Sequence, residues 1–164
     1  MVLIIIVFLI FFGLFMYFKY SVSHAKQTAV EVCVQDASQM LSSVLSLPEL
    51  QCSVQGVVKS NCIDTVKLLM FEKSSKFLEG SAGCLKKIEF VQVYPKPDKN
   101  DTECNVNNMK SPDFPLSCGK WTLTNPKNVK NKSTRIISQP ISLYYPHINQ
   151  YGIGLMRITL YMKQ

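Results

Sequence analysis

Residues 1–26 read MVLIIIVFLIFFGLFMYFKYSVSHAK, and this stretch decides the fold because an apolar run passes into a polar one without a break. The first eighteen residues carry no charged side chain, and Lys19 is the first charge in the sequence. As a helix with a rise of about 1.5 Å per residue, residues 2–18 cover about 26 Å, close to the lower limit for crossing a hydrocarbon layer of about 30 Å. The run is therefore able to span a membrane.

The helical pattern continues beyond Lys19. Apolar side chains recur at steps of three or four residues, the spacing of one face of an amphipathic helix. They are Val22, Ala25, Ala29, Cys33, Ala37, Met40 and Val44. No glycine or proline interrupts the chain between Gly13 and Pro48, and a proline disfavours the helical conformation at the residue before it. We predict one continuous helix of about 45 residues, with an apolar segment at 1–18 and an amphipathic stalk at 19–46.

Residues 47–164 are predicted to form a separate head. A short second helix is expected from Asn61 to Gly80 or Gly83, because asparagine with Asp64 three residues later favours a helix start and glycine favours a helix end. Alternating side chains then predict strands at 88–93, 120–124, 134–145 and 153–162, the last two as a hairpin. Pro140 indicates an edge position or a bulge, and residues 95–118 read as a long loop. The prediction is an α+β fold, with a helical stalk and a small antiparallel sheet.

The six cysteines form no C-x-x-C pair, and the only histidines are His24 and His147, so a metal site is not expected. An even number of cysteines favours disulfides in an oxidising compartment. Six cysteines permit fifteen connectivities. Proximity in the sequence favours Cys52 with Cys62 and Cys104 with Cys118, which leaves Cys33 with Cys84.

Two N-glycosylation sequons begin at Asn100 and Asn131, in turn-rich polar stretches that have room for N-linked glycans. With the cysteines, they predict that the bulk of the chain lies outside the cytoplasm. The charges after the apolar run, Lys19, His24 and Lys26, would place the head inside by the positive-inside rule. A basic leader that once preceded Met1 and was removed would resolve this conflict.

Other function classes find little support in the sequence. The net charge of +7 is scattered and accompanies no nucleic-acid-binding motif, so we expect no nucleic acid partner. No G-x-S-x-G nucleophile pattern and no glycine-rich phosphate loop is present, and we expect neither an enzyme nor a cofactor. Four tyrosines near the C-terminus could form a sugar-binding or adhesive surface, although packing within a sheet is the commoner role. They are Tyr144, Tyr145, Tyr151 and Tyr161.

The apolar N-terminus, its uninterrupted amphipathic continuation to Leu45 and the small disulfide-bearing β-rich head resemble a mature type IV pilin, more similar to the archaeal kind. Bacterial pilins usually carry a glutamate at the fifth mature position, and archaeal pilins commonly lack it; Ile5 stands at this position here. The resemblance implies an extracellular helical filament of identical subunits, which sits in the cytoplasmic membrane before assembly and can support adhesion. It also implies assembly through the apolar helix. The residues concerned are Val2, Leu3, Ile4, Ile5, Ile6, Val7, Phe8, Leu9, Ile10, Phe11, Phe12, Leu14, Phe15 and Phe18.

Two alternatives to this interpretation involve the same segment. A cleaved secretory signal would fit the small-x-small pattern at residues 23–25, but the segment lacks a basic n-region and the helical pattern runs through the site. A single-pass anchor for an adhesin or an accessory subunit of a membrane assembly needs the same apolar helix without polymerisation. This second alternative stays open at the level of the sequence.

Overall fold

The computed structural model describes residues 2–54, 56–71, 84–98, 102–109, 111–126, 129 and 132–163. Within them, the chain forms one long N-terminal helix and a disulfide-bonded six-stranded sheet with two short helices. The elements in chain order are α1 (Val2–Leu45), β1 (Gln51–Val54), β2 (Val57–Asp64), α2 (Thr65–Phe71), β3 (Leu85–Tyr94), α3 (Val106–Met109), β4 (Lys120–Thr124), β5 (Lys132–Tyr145) and β6 (Gln150–Lys163).

Helix α1 confirms the predicted continuous helix. Its 44 residues pass through Gly13 and Lys19 without interruption and correspond to a length of about 66 Å. Serine hydroxyls near its end donate to carbonyl groups one turn back, as Ser46 does to Ser43, and the chain turns away before Pro48. The apolar run and the stalk are therefore one rigid element.

The sheet has the strand order β1-β2-β5-β6-β3-β4 and is mixed, so the prediction of a purely antiparallel sheet is wrong. β2 and β5 are parallel and pair over residues 62–64 and 142–144. The hydroxyl of Thr65 donates to the carbonyl oxygen of Tyr144 and fastens the start of α2 to β5. Strand periodicity predicts which residues face the core but not which distant strand is the neighbour, and this pairing joins segments about 80 residues apart.

The predicted start of the second helix at Asn61 is also wrong, because residues 57–64 form a strand. Asn61 has a φ of 56°, a left-handed conformation that asparagine adopts more readily than most residues. Asp64 is the true N-cap: its Oδ1 accepts hydrogen bonds from the backbone N–H groups of Val66 and Lys67. The predicted helix ends at Gly80 and Gly83 lie outside the described residues.

The hydrophobic core lies between the sheet and the C-terminal third of α1. From the helix it includes Cys33, Ala37, Leu41, Val44 and Leu45, and none of these is more than 5% exposed. From the sheet it includes Ile63, Ile88, Phe90, Leu143, Tyr145, Met156, Ile158 and Leu160, all fully buried. The predicted boundary between residues 46 and 47 thus separates two stretches of sequence that share one core.

Three disulfides join Cys33 to Cys84, Cys52 to Cys62 and Cys104 to Cys118. These are the pairs that sequence proximity favours. The third closes most of the predicted 95–118 loop, which contains the single turn of α3. Backbone pairing of Glu103 with Lys120, an isolated β-bridge, holds this loop to β4.

The C-terminal strands agree closely with the prediction. β4 spans the predicted residues, and β5 and β6 form a hairpin around a turn at residues 146–149. β5 is an internal strand, between β2 and β6. β2 pairs only with residues 142–144 of β5, so within the described residues Pro140 has a neighbouring strand only on the β6 side. A proline is tolerated there because its missing N–H removes no ladder bond to β2.

Candidate assembly surface

The N-terminal part of α1 presents a continuous apolar surface to its surroundings. The side chains predicted to drive assembly are all exposed, from 44% for Val7 to 75% for Leu3. The full set is Val2, Leu3, Ile4, Ile5, Ile6, Val7, Phe8, Leu9, Ile10, Phe11, Phe12, Leu14, Phe15 and Phe18. Met16, Tyr17, Tyr20 and Val22 were not predicted but belong to the same surface, with exposures of 54% to 72%. Their membership follows from the continuity of the helix.

The head leaves most of α1 uncovered. Every described side chain from Val2 to Ala29 is exposed, and Val30 is the first that is half-buried against the head. This uncovered part of the helix is about 42 Å long. Exposed apolar patches are usually limited to a few hundred Å² in soluble monomers, so this surface requires a partner or a lipid environment.

Two links fix the head to the helix where the uncovered part ends. The Cys33–Cys84 disulfide joins α1 to the residue before β3. The ammonium group of Lys86, whose side chain is 1% exposed, pairs with the carboxylate of Asp36, which lies about one helical turn after Cys33 in α1. The disulfide and the ion pair together hold the helix against the head at the point where the uncovered part ends.

The charges of α1 are few and differ in their partners. The helix contains two lysines, Lys19 and Lys26, and two acidic residues, Glu31 and Asp36. Asp36 is paired with Lys86. Glu31 is exposed, and no ion pair is found for it within the described part of the chain. The Lys19 ammonium lies 5.8 Å from the centre of the Phe15 ring, at the end of the apolar segment.

The outer face of the sheet, opposite α1, carries a compact ionic cluster around Glu89. The carboxylate is 6% exposed and contacts three cations: Lys87 at 2.6 Å, Arg157 at 3.1 Å and Lys120 at 3.7 Å. Burial by itself would raise the pKa of Glu89, but the close Lys87 ammonium and the other surrounding positive charges outweigh it and hold the pKa below its ordinary value. The same contact raises the pKa of Lys87 against the opposing effect of burial.

The four tyrosines do not form a single binding surface. Tyr145 is fully buried, edge-on to Phe114 with ring centres 5.5 Å apart, and burial raises the pKa of its hydroxyl. Tyr144 and Tyr151 lie against each other on the outer face with ring centres 4.9 Å apart. Lys59 lies over the Tyr151 ring. These rings cover one another, and the arrangement favours the packing interpretation over a sugar-binding platform.

The remaining candidates from the sequence have local roles or lie elsewhere. His147 packs on Phe114 with ring centres 4.5 Å apart, and the backbone carbonyl of His24 accepts a hydrogen bond from Thr28. Within the described ranges, no group of three His, Cys, Asp or Glu side chains is arranged to hold a metal ion. The glycosylation candidates Asn100 and Asn131 lie outside the described residues.

By length and composition, α1 is able to cross a membrane, and it suggests either membrane anchoring or a signal segment. The three disulfides indicate an extracytoplasmic head. Comparisons of the chain with protein-family models, with curated proteins and with solved structures found no match.

Proposed function

We propose that the chain is the structural subunit of an extracellular filament of the type IV pilus kind, which polymerises through residues 2–18 of α1. The observation that carries this proposal is the uncovered apolar helix, which continues without a break into the core of a disulfide-bonded head. A membrane anchor needs only the apolar segment. A rigid connection between that segment and the head is an additional feature, and it suits a polymer in which both parts must keep a fixed relation.

The energetics exclude a freely soluble monomer. Burying one valine, leucine, isoleucine or phenylalanine side chain is worth about 1.5–3 kcal/mol, and the fourteen such residues predicted to drive assembly are all exposed. Leaving them in water would cost tens of kcal/mol. In lipid, the helix makes all of its backbone hydrogen bonds internally, and the apolar side chains face the lipid tails. In a filament, the same side chains would pack against other copies.

The transfer from lipid to filament is close to neutral in hydrophobic terms, because lipid tails are as apolar as leucine. Packing between helices therefore has to favour the filament. Contacts between two different faces of identical subunits generate a helical fibre when the operation that relates neighbouring copies does not close into a ring. The heads would form the outer layer of that fibre.

Electron microscopy of the full-length chain tests the proposal. After the chain is purified in detergent and the detergent is removed, negative-stain images should show fibres of uniform width. Ile5→Lys and Phe8→Asp should abolish them, because each places a charge in the apolar core. Ile5→Leu and Phe8→Leu are the matched controls and should assemble.

Monomers or small oligomers that never form fibres, with Ile5→Lys behaving like Ile5→Leu, would contradict the proposal. That outcome would favour the single-pass anchored protein. The head must stay folded in every variant, and the fluorescence of Trp121, the only tryptophan and buried in β4, reports on this directly.

A further inference from the structure

The charges of α1 point to an ion pair between copies, an inference that rests on the proposed filament. Lys19 directly follows the apolar segment, so packing of that segment against neighbouring helices would bring Lys19 to the border of a dry core. A cation that loses water needs a counter-charge, since an unpaired charge in such a place costs several kcal/mol. The question is which carboxylate provides it.

Helix α1 offers only two carboxylates, and one is already used. Asp36 is paired with the buried Lys86 of its own head. Glu31 remains exposed and has no ion pair within the described residues. Glu31 is therefore the acid of α1 that is available to a neighbour.

Glu31 cannot reach Lys19 of the same chain. The two residues are twelve positions apart in one straight helix, which is about 18 Å along the axis and about 120° around it. No intrachain contact between them is possible while α1 stays helical. Only a second copy, displaced along the axis, can bring the two charges together.

The two charges also lie on different sides of the helix. Taking Cys33 as the direction of the head, Lys19 is about 40° away around the axis, on the head side, and Glu31 is about 160° away, on the opposite side. A contact between the head side of one helix and the rear of the next uses two different surfaces. Such a contact is heterologous, and because neighbouring copies are also displaced along the axis, it cannot close into a ring and propagates into a fibre.

We propose that Lys19 of one copy pairs with Glu31 of a neighbouring copy, and that this pair sets an axial stagger of about 18 Å between the two parallel helices. The apolar segment would supply the attraction between helices, which by itself is tolerant of sliding. The ion pair would select one register among those that the apolar side chains allow, as polar residues do in coiled coils.

Charge reversal in the full-length chain tests this inference. Lys19→Glu and Glu31→Lys, each alone, should raise the concentration of chain left unsedimented after detergent removal by about tenfold or more, since each places like charges in contact. The double variant should return to within about threefold of the wild type, because the pair is restored with its sign inverted. Lys96→Glu and Glu103→Lys make the same changes of charge at exposed positions of the head and should assemble like the wild type.

Mixing the two single variants separates an intermolecular pair from a local defect. Copies with Lys19→Glu can alternate with copies with Glu31→Lys so that every contact joins opposite charges, and an equimolar mixture should form fibres where neither variant does alone. A misfolded helix would not be rescued in this way.

The inference is overturned if the single reversals assemble like the head controls, or if neither the double variant nor the mixture assembles better than the single variants. A wild type that forms no fibres would refute the proposed function and the pairing together. Wild-type fibres that tolerate both reversals but not Ile5→Lys would refute the pairing alone.

Discussion

Cys33 in α1 and Cys84, the residue before β3, are joined by a disulfide, with Cα atoms 6.2 Å apart and a separation of 51 positions in sequence. Of the three bridges, it closes the longest segment of chain. The other two each lie within one local region. It is the one disulfide of the three that connects the long helix to the sheet, in addition to the shared core and the Asp36–Lys86 ion pair.

Replacing Cys33 and Cys84 by serine should destabilise the head more than removing either local bridge. Chain-entropy estimates give about 4 kcal/mol for a loop of this length and about 3 kcal/mol for the loop closed by Cys52 and Cys62. Urea unfolding of the full-length chain in detergent, followed by Trp121 fluorescence, measures the difference. The matched control is the replacement of Cys52 and Cys62 by serine. A smaller loss for the Cys33–Cys84 pair would contradict its role as the main link.

Local sequence signals predict much of this fold. The length of α1 follows from the absence of proline between Gly13 and Pro48, and β4 follows from a short alternating run at residues 120–124. Non-local relations are harder to predict. Nothing in residues 57–64 indicates that they pair in parallel with a strand about 80 residues later, and Asn61 resembles a helix start until its left-handed conformation within β2 is known.

The exposure of the candidate assembly surface is predicted from the sequence almost completely. The run is apolar on every side of the helix, and a small head can cover only one side, so apolar side chains must remain exposed. The sequence does not reveal the residue of α1 at which the head begins to cover the helix. From Val30 onward, one face of α1 is covered by a sheet whose strands lie far along the chain. The pairing of Asp36 with Lys86 is hidden for the same reason, since it joins two elements 50 positions apart.

Removing the partner of Lys86 should be costly. Asp36→Asn leaves the ammonium group, whose side chain is 1% exposed, without a counter-charge, and we expect a loss of about 3 kcal/mol in the free energy of unfolding. Adding Lys86→Met to Asp36→Asn should recover most of this loss, because an apolar side chain of similar length needs no partner. Urea unfolding of both variants checks this. A double variant as unstable as Asp36→Asn would show that the ion pair is not the cause.

The Glu89 cluster predicts a loss of stability in acid. Its pKa is lower in the folded chain than in the unfolded chain, so its contribution is complete above pH 4.5 and is lost as the pH falls through the lower, folded value. Glu89→Gln should lower stability by about 2 kcal/mol at pH 7. It should also flatten the acidic side of the profile of unfolding free energy, below pH 4.5. Glu103→Gln, at an exposed site, serves as the control and should leave the profile unchanged.

Gly152 in β6 should tolerate no side chain. A Cβ atom there would lie 2.5 Å from the backbone oxygen of Tyr94 and 2.8 Å from the hydroxyl oxygen of the buried Tyr145, and the backbone oxygen cannot rotate away. Gly152→Ala should therefore cost about 2 kcal/mol of unfolding free energy through overpacking. Gly13→Ala is the control, because nothing lies within 4 Å of a Cβ at Gly13 and alanine favours the helix. Urea unfolding should separate the two variants, and equal midpoints would contradict the close packing of β6 against Tyr94 and Tyr145.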